Sequence, residues 1–382
     1  MIISNVYIFG KNGMQDIHIE KERIVAANNR AAGMKEGLIR FSGAMAFPGI
    51  INSHDHLDFN LFPQLGNRKY INYKDWGEDI YENNKDTINA VLHIPLQLRK
   101  KWGLYKNLLN GVTTVVDHGK KTALEDGLIS VFQHCHSLHS LHYEKWWKWK
   151  LNNPFIRKLP FVIHVGEGTD AAAGEEIEKL VNYNLLKKEL IAVHGVAMSA
   201  RQAGAFKALV WCPASNYFLL TETANLAVLK NEVPVIFGTD STLSAVWNFW
   251  DHLRLARKNQ GLTETELYES VNSRAASVWK LKECGSLEEG KLADIVVAKV
   301  KDHSLDSFYS IDPGDILMVM HHGEIVLFDG SLQEQLVNIN LAGFSRIMLG
   351  DNCKYVKGDL PLLMRKIWQF YPEARFPVSI PL

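Results

Sequence analysis

Strand-like apolar runs alternate with helical patterns through the central part of this chain, and this alternation limits the fold more than any other feature. The β-branched run VTTVV follows a helical pattern at 88–110, and LIAVHG lies between the helical patterns EEIEKLVNYNLLKKE and SARQAGAFKAL. Such alternation predicts an α/β fold with a parallel sheet whose strands are joined by helical crossovers. Because polar residues stand at the carboxyl ends of several runs, a (β/α)8-type TIM barrel is the favoured architecture.

Both ends of the chain are instead rich in strands. Residues 1–46 contain short strand patterns broken by Gly, Asn and Lys turns, and the runs GSLEEGKLADIVVAK and ILMVMHHGEIVLFDG follow near the C-terminus. We therefore predict that 1–46 and 283–335 pair into one small β-sandwich, that 47–282 form the barrel, and that 336–382 are a C-terminal extension. For the extension, packing on the barrel and packing on a second subunit both stay open.

One part of the predicted barrel is too short for the regular pattern. Only SLHSLHYEKWWKWKLNNPFIRKLP separates the strand pattern VFQHCHS from the strand pattern VIHVGEG. A complete strand–helix–strand unit takes about 30 residues or more. We expect the barrel to be irregular, or short by one strand, near residues 140–158.

The charge balance and the cysteines limit the partners of the protein. Lys plus Arg and Asp plus Glu both number 42, so there is no basic excess to attract nucleic acid or a membrane surface. A small-molecule substrate is the predicted partner, and a homo-oligomer stays open. The four cysteines form no CxxC pair and suit a reducing compartment. With no signal-peptide pattern and no apolar run of about 20 residues, the predicted location is the cytoplasm.

Histidines and one aspartate mark the ends of successive strand patterns. His54 and His56 end the first, and their spacing puts both side chains on one face of a strand. His164, His194 and Asp240 end later strands. Any one of these histidines alone is better explained as a hydrogen-bonded core or surface residue. Four imidazoles and a carboxylate that converge on one barrel mouth predict a transition-metal site.

The order of these motifs resembles a known family. FPGIINSHDHL, IHVGEG, AVHG, WCPASN, GTDS and GSLEEGKLADIVV are similar, in this order, to signatures of the amidohydrolase superfamily, over about residues 1–335. The nearest resemblance is to the cytosine deaminase and aminohydrolase/chlorohydrolase branch, whose strand-five motif is His-x-x-Glu, as in His164 and Glu167. Cyclic amide hydrolases of the imidazolonepropionase type share this motif.

The resemblance implies a role for each matching residue. One divalent metal ion, with zinc favoured over iron, would be held by His54, His56, His164 and Asp240. The metal would turn a water molecule into a nucleophile near neutral pH. Asp240 would accept the proton of that water, and Glu167 would pass a proton to a ring nitrogen or leaving group. His194 would hydrogen-bond the nucleophile and stabilise the developing negative charge.

Two features bear on the number of metal ions. Dinuclear members of the superfamily bridge two metals with a carboxylated lysine, usually on strand four, and the sequence has no lysine at the corresponding strand end. The histidine-rich run HCHSLHSLH, residues 134–142, would offer ligands for a second ion. Because no carboxylate accompanies these histidines, we interpret them as pocket-lining or surface residues. The sequence therefore favours one metal ion.

Three further polar residues are candidates for substrate binding: His118, His136 and Asp58. His118 ends the pattern VTTVVDHG, and His136 lies in the histidine-rich run. Asp58, just past the His-x-His motif, equally suits a helix cap. Ser215 and Asn216 in the PASN motif are interpreted as turn residues.

The leading functional hypothesis is a metal-dependent hydrolase of a carbon–nitrogen bond, in particular a deaminase of a small heterocycle. A cyclic amide hydrolase that opens a ring is the alternative enzyme. A non-catalytic relative that binds a metal or a ligand is the alternative from another class. Release of ammonia would distinguish the first hypothesis from the other two.

Overall fold

The computed structural model describes residues 1–28, 37–122 and 127–381. Five strands come first: β1 (Ile2–Ile8), β2 (Gln15–Glu20), β3 (Arg23–Asn28), β4 (Leu38–Arg40) and β5 (Ala44–Pro48). The central strands are β6 (Ile50–Asp55), β7 (Val112–Asp117), β8 (Ser130–Phe132), β9 (His136–Leu138), β10 (Phe161–Val165), β11 (Leu190–His194), β12 (Ala208–Trp211) and β13 (Val235–Phe237).

Eleven helices in the described part of the central region surround these strands. They are α1 (Tyr73–Asn83), α2 (Lys85–His93), α3 (Leu96–Leu109), α4 (Trp147–Leu151), α5 (Ala171–Tyr183), α6 (Ala200–Ala203), α7 (Pro213–Leu220), α8 (Leu226–Leu229), α9 (Phe249–Asn259), α10 (Glu264–Ser270) and α11 (Ser273–Trp279). The C-terminal elements are β14 (Ile295–Lys299), α12 (Leu305–Tyr309), β15 (Ile316–His321), β16 (Glu324–Asp329), β17 (Phe344–Leu349), β18 (Asn352–Lys357) and α13 (Leu360–Phe370).

The central strands form two parallel sheets. One sheet has the order β6-β7-β8, and the other has the order β13-β12-β11-β10-β9. Every residue of β7, β10 and β11 is buried, which agrees with the nearly continuous apolar runs that a parallel sheet covered on both faces requires. The predicted α/β class with parallel strands and helical crossovers is confirmed.

The described ladders do not run as one closed ring. Only residues 133–135 separate β8 from β9, and parallel neighbours need a crossover of about a dozen residues or more. β8 pairs with β7 while β9 pairs with β10, so β8 and β9 act as two halves of one interrupted strand. At the other break, the backbone N–H groups of Thr239 and Asp240 both donate to the carbonyl oxygen of His54, at 3.1 and 3.0 Å.

A large mixed sheet joins the two ends of the chain. Its order among the described residues is β17-β18-β16-β15-β14-β5-β1-β2-β3, with β4 also paired to β1. The first half of β1 pairs with β2 and β4 and the second half with β5, and the bulge between them contains Asn5 at φ +63°. The bent sheet encloses its own apolar core, which includes Ile3, Ile17, Val297 and Met318.

Segment 336–382 takes part in both regions. Its strands β17 and β18 extend the mixed sheet beyond β16, and its helix α13 packs against α3. The ring of Phe376 lies 4.7 Å from the ring of Trp102 on α3, centroid to centroid. Within the chain, this segment therefore packs on the central region, and packing on a second subunit stays open.

Helix α3 holds the end of β6 in place from behind. Asp55 points away from the face that carries His54 and His56, because side chains alternate along a strand. Its Oδ2 accepts hydrogen bonds from Lys106 Nζ at 3.0 Å and from Asn107 Nδ2 at 2.7 Å. The buried anchor therefore determines which way the two histidines face.

We expect Gly103→Ala on α3 to destabilise the protein, although alanine is the better helix former by about 1 kcal/mol. A Cβ at Gly103 would lie 2.3 Å from the carbonyl oxygen of Leu57, directly after the His-x-His motif. Overpacking of this kind costs about 1–3 kcal/mol. The free energy of unfolding from urea denaturation measures the effect.

The matched control is Gly174→Ala on α5, where the nearest atom to the new Cβ is 3.9 Å away. This control should be neutral or stabilising. Equal stability of the two variants would show that the contact between α3 and the segment after β6 is loose.

Candidate metal centre and active site

Four side-chain atoms converge at the mouth of the central sheets. Their residues lie at the carboxyl ends of β6, β10 and β13 or just after them. His164 Nε2 lies 3.0 Å from His54 Nε2 and 3.4 Å from His56 Nε2. Asp240 Oδ1 lies 3.9 Å from His54 Nε2 and 3.8 Å from His56 Nε2. The strand ends of β6, β10 and β13 therefore bring the four predicted metal ligands together.

The distances suit one metal ion. Tetrahedral bonds of about 2.0–2.1 Å would place neighbouring ligand atoms roughly 3.3 Å apart. The four measured separations scatter around this value. Three nitrogen ligands and one carboxylate oxygen are a donor set that zinc and iron accept.

The protonation of His164 suits a ligand. Its Nδ1 lies 2.7 Å from the carbonyl oxygen of His139 and donates a hydrogen bond to it, which leaves the Nε2 lone pair free to face the cluster. Burial, followed by the neighbouring imidazoles, holds the pKa values of His54 and His164 well below the usual histidine range. Neutral imidazoles are the form that binds a metal.

The carboxylate of Asp240 is oriented by two hydroxyl groups. Ser215 Oγ and Ser244 Oγ both donate to its Oδ2 at 2.8 Å, which leaves Oδ1 toward the imidazoles. Burial by itself would raise the pKa of Asp240, but His56, His194 and the two hydroxyl groups outweigh it and lower the pKa. Asp240 is therefore ionised beside the candidate metal position.

His194 is oriented by a chain of hydrogen bonds on its far side. Asn216 Oδ1 accepts from Thr223, so the amide Nδ2 of Asn216 donates to His194 Nδ1 at 2.9 Å. The proton of the neutral ring is then on Nε2, which lies 3.5 Å from Glu167 Oε1. Burial lowers the pKa of His194 to about 4, so the ring is a neutral N–H donor at neutral pH.

Glu167 is buried close to this donor. Burial, then the negative charges of Asp240 and Glu176, raise the pKa of Glu167 well above the usual carboxyl range. A carboxyl group with a raised pKa holds a proton that it can deliver to a bound molecule.

Two of these residues have strained backbones. His194 has φ +71° and Asp240 has φ +58°, and residues other than glycine rarely adopt such angles. Strain of this kind persists where the surrounding structure holds it, and it is common at functional sites. It turns the chain sharply at the ends of β11 and β13.

A cavity of about 240 Å³ opens onto the candidate metal position. Polar groups near its base belong to His56, His139, Ser140, His164, Glu167, His194, Asp240, Ser241 and Ser244. The outer wall is aromatic and aliphatic: Phe59, Phe62, Tyr73, Trp76, Ile80, Tyr81, Ile88, Leu92, Tyr143 and Leu243, with Gly77 beside them. Within the described part of the chain, this lining includes no lysine and no arginine.

Two of the predicted substrate contacts lie outside the cavity lining. His136 lies at the amino end of β9, opposite the mouth, where its Nε2 is 2.9 Å from the carbonyl oxygen of Arg157. Asp58 Oδ2 faces Arg99 Nη1 at 3.6 Å, outside the cavity lining, so this carboxylate pairs within the fold. His139, just past the carboxyl end of β9, lines the cavity in place of His136.

His118 lies beside the cluster and behind the cavity lining. Its ring is 4.5 Å from the ring of His164 and 5.2 Å from that of His54. Its buried Nε2 has no hydrogen-bond partner among the described residues. A role for His118 in substrate binding stays a prediction.

Sequence reasoning missed the residues that orient the site. Ser215 and Asn216, interpreted as turn residues, hydrogen-bond Asp240 and His194 from the start of α7. Ser244 bonds the same carboxylate as Ser215. The PASN motif lies directly after the end of a strand, and this position is the sequence feature that could have indicated a role in the site.

Comparison with known proteins agrees with this geometry. The profile of the Amidohydrolase family matches residues 156–326. The chain is 25% identical to a 5-methylthioadenosine/S-adenosylhomocysteine deaminase of Pyrococcus furiosus, over 86% of this chain and 96% of that protein. It is also 25% identical to an imidazolonepropionase of Shouchella clausii, over 78% of this chain and 80% of that protein.

The chain is therefore similar to the amidohydrolase superfamily over residues 156–326. The resemblance drawn from its motifs is thereby confirmed, and it indicates a metal-dependent hydrolase. The fold of this chain is similar to that of a solved adenosine deaminase from Xanthomonas campestris with bound zinc, with TM-score 0.66, 16% identity and 98% of each chain covered. In the described part of the chain, no helix has the length and apolar character needed to cross a bilayer.

We expect His54→Ala/His56→Ala to lose about one metal ion per chain relative to the wild type, because two of four ligands are removed. Elemental analysis of protein purified without chelator measures the content. The control His93→Ala/His303→Ala removes two exposed histidines and should keep the wild-type content. Unchanged metal in the first variant would place the ion elsewhere in the chain.

Proposed function

We propose that this chain is a deaminase of a small, uncharged heterocycle, with zinc favoured over iron as its single catalytic ion. The observation that carries the proposal is the position of Glu167, a buried carboxyl group with a raised pKa, between the candidate metal ligands and an apolar cavity. The deaminase named among the relatives supports the reaction class. The bound zinc of the similar adenosine deaminase structure supports the metal.

In this proposal the side chains divide the proton transfers between them. The metal would supply the Lewis-acid chemistry that makes water a nucleophile near neutral pH. Asp240, ionised and oriented by two hydroxyl groups, accepts a proton from the attacking water and returns it to the amino group, which leaves as ammonia when the carbon–nitrogen bond breaks. Glu167 delivers its proton to the ring nitrogen next to the carbon under attack. His194 donates from Nε2 to the attacking oxygen and stabilises the negative charge that develops on it.

The cavity favours deamination over ring opening. Imidazolonepropionate carries a carboxylate, which proteins usually bind with arginine or lysine. The described lining includes neither residue, and its outer wall is aromatic and aliphatic. An uncharged planar ring with an apolar substituent, such as the methylthioadenosine in the name of the Pyrococcus relative, suits this lining better. The ring-opening hydrolase is therefore the second candidate.

The protonation pattern also bears on the non-catalytic alternative. A binding protein needs the metal ligands, but it does not need a buried carboxyl group 3.5 Å from a histidine that Asn216 orients. Burying Glu167 costs free energy without a hydrogen-bonded partner. The presence of this buried carboxyl group beside an oriented histidine supports an enzyme.

We also propose a detailed domain architecture for the chain and a cellular location. The strands β6 to β13 form a TIM-type barrel of residues 47–282, interrupted between β8 and β9, and residues 1–46 with 283–335 form the sandwich beside it. The convergence of four strand ends on one site supports the barrel. The four cysteines are free thiols, which supports a cytoplasmic location.

Glu167→Gln should lower ammonia release by at least about 100-fold, because glutamine cannot transfer the proton. Metal content should not change, since the metal ligands remain. The control Glu178→Gln lies on the exposed side of α5, where Glu178 pairs with Arg201, and should leave both quantities unchanged. Turnover at the wild-type rate in the Glu167 variant would remove this residue from the mechanism.

A substrate panel separates the two reaction classes. We expect ammonia from uncharged amino-substituted purines, pyrimidines or their nucleosides, with a higher kcat/KM for apolar substituents than for carboxylate-bearing ones. Imidazolonepropionate should be a poor substrate. Ring opening of imidazolonepropionate without ammonia, at a rate above that of every amino heterocycle, would exchange the two candidates.

A further inference from the structure

We propose a second transition-metal site, of the structural zinc type, at the hairpin between β15 and β16. Its ligands are Cys284, Asp294, His321 and His322. None of the four lines the catalytic cavity. Asp294 and His321 are buried, and Cys284 and His322 are half-buried.

Three of the four donor atoms lie close enough to share one ion, and the thiol of Cys284 lies beside the carboxylate of Asp294. His321 Nδ1 lies 3.0 Å from Asp294 Oδ1, and Cys284 Sγ lies 3.8 Å from Asp294 Oδ2. One ligand atom from each of Asp294, His321 and His322 lies within 4.8 Å of the other two. Tetrahedral zinc places nitrogen and oxygen ligands roughly 3.3 Å apart, and sulfur and oxygen ligands roughly 3.5 Å apart. Small shifts of these side chains would therefore enclose an ion.

The outer contact of His321 orients its ring for this role. Its Nε2 lies 3.4 Å from Ser130 Oγ on β8, and its Nδ1 faces Asp294. Metal-bound histidines commonly hydrogen-bond a neighbouring polar group through the nitrogen that does not bind the metal. The arrangement also connects the hairpin to the central region through Ser130.

His322 occupies a left-handed backbone position in a tight turn. His322 and Gly323 form a two-residue loop between the paired residues His321 and Glu324, and His322 has φ +49°. Asparagine, aspartate and glycine are the residues that such hairpin loops prefer. Its N–H donates to Asp294 Oδ1 at 2.8 Å, and its ring centroid lies 4.0 Å from that of His321. The imidazole brings a second ring nitrogen to the cluster.

The donor set suits zinc electrostatically. One thiolate, one carboxylate and two neutral imidazoles balance a divalent charge, and thiolate with imidazole favours zinc over magnesium or calcium. A closed set of four protein ligands leaves no position for a substrate. The ion would therefore fasten the β15–β16 hairpin to the segment before β14 and take no part in turnover.

Metal content distinguishes this site from the catalytic one. We expect about two zinc ions per wild-type chain, and about one in each of His322→Asn and His54→Ala/His56→Ala. Asparagine suits the positive φ, so His322→Asn should fold. A chelator should lower the melting temperature of the wild type more than that of His322→Asn. Equal metal content in wild type and His322→Asn would overturn the proposal.

Cobalt substitution tests the thiolate directly. The cobalt-loaded wild type should show a thiolate-to-cobalt charge-transfer band in the near ultraviolet, and Cys284→Ser should lose it. The control Cys353→Ser changes a half-buried thiol elsewhere in the mixed sheet and should keep the band, as should His54→Ala/His56→Ala. A band that persists in Cys284→Ser, or no band in the wild type, would leave the cluster as a hydrogen-bonded clamp without metal.

Discussion

Three imidazole nitrogens that face one another in a buried mouth are the constraint on which the rest of this structure depends. The Nε2 atoms of His54 and His56 lie 3.0 and 3.4 Å from that of His164, and all three rings are buried. Lone pairs held this close repel one another unless a proton or a cation lies between them. Burial strongly disfavours the charged imidazolium form of His54 and His164, so a metal ion suits the three nitrogens better than an added proton does.

The protein holds these nitrogens in place by polar contacts behind them. Asp55 is fastened to Lys106 and Asn107 of α3, and His164 is fastened to a backbone carbonyl after β9. A buried charge pair such as Asp55 with Lys106 adds little net stability, because both ions lose water. The pair instead fixes an orientation. Because Asp55 is held on one face of β6, the neighbouring side chains of His54 and His56 must face the mouth. Stability comes from the apolar strands and helices around it.

The sequence predicts which residues converge on the site better than it predicts how their side chains are oriented. Histidines at strand ends can be identified in the sequence because the strands are short apolar runs. Their convergence can be predicted because parallel strands end at the same edge of a sheet. The sequence does not show that His136 lies at the amino end of β9, because a strand of three residues is too short for its ends to be recognised from alternation. Asn216 was missed because its partner His194 lies on another strand, and hydrogen bonds between strands leave no pattern in one sequence. The positive φ angles of His194 and Asp240 likewise have no sequence signal, since neither residue is glycine.

The interruption between β8 and β9 is also what shapes the cavity. A regular unit would send the chain after β9 into a helix on the outside of the sheet. Here the chain crosses the mouth instead and places His139, Ser140 and Tyr143 in the cavity lining. The ring of Tyr143 lies 5.9 Å from that of Tyr73 on α1, and Tyr73 donates to the buried carboxyl group of Glu176. The segment after β9 and the helix α1 thus build part of the aromatic wall together, so the least regular part of the fold contributes to the cavity lining.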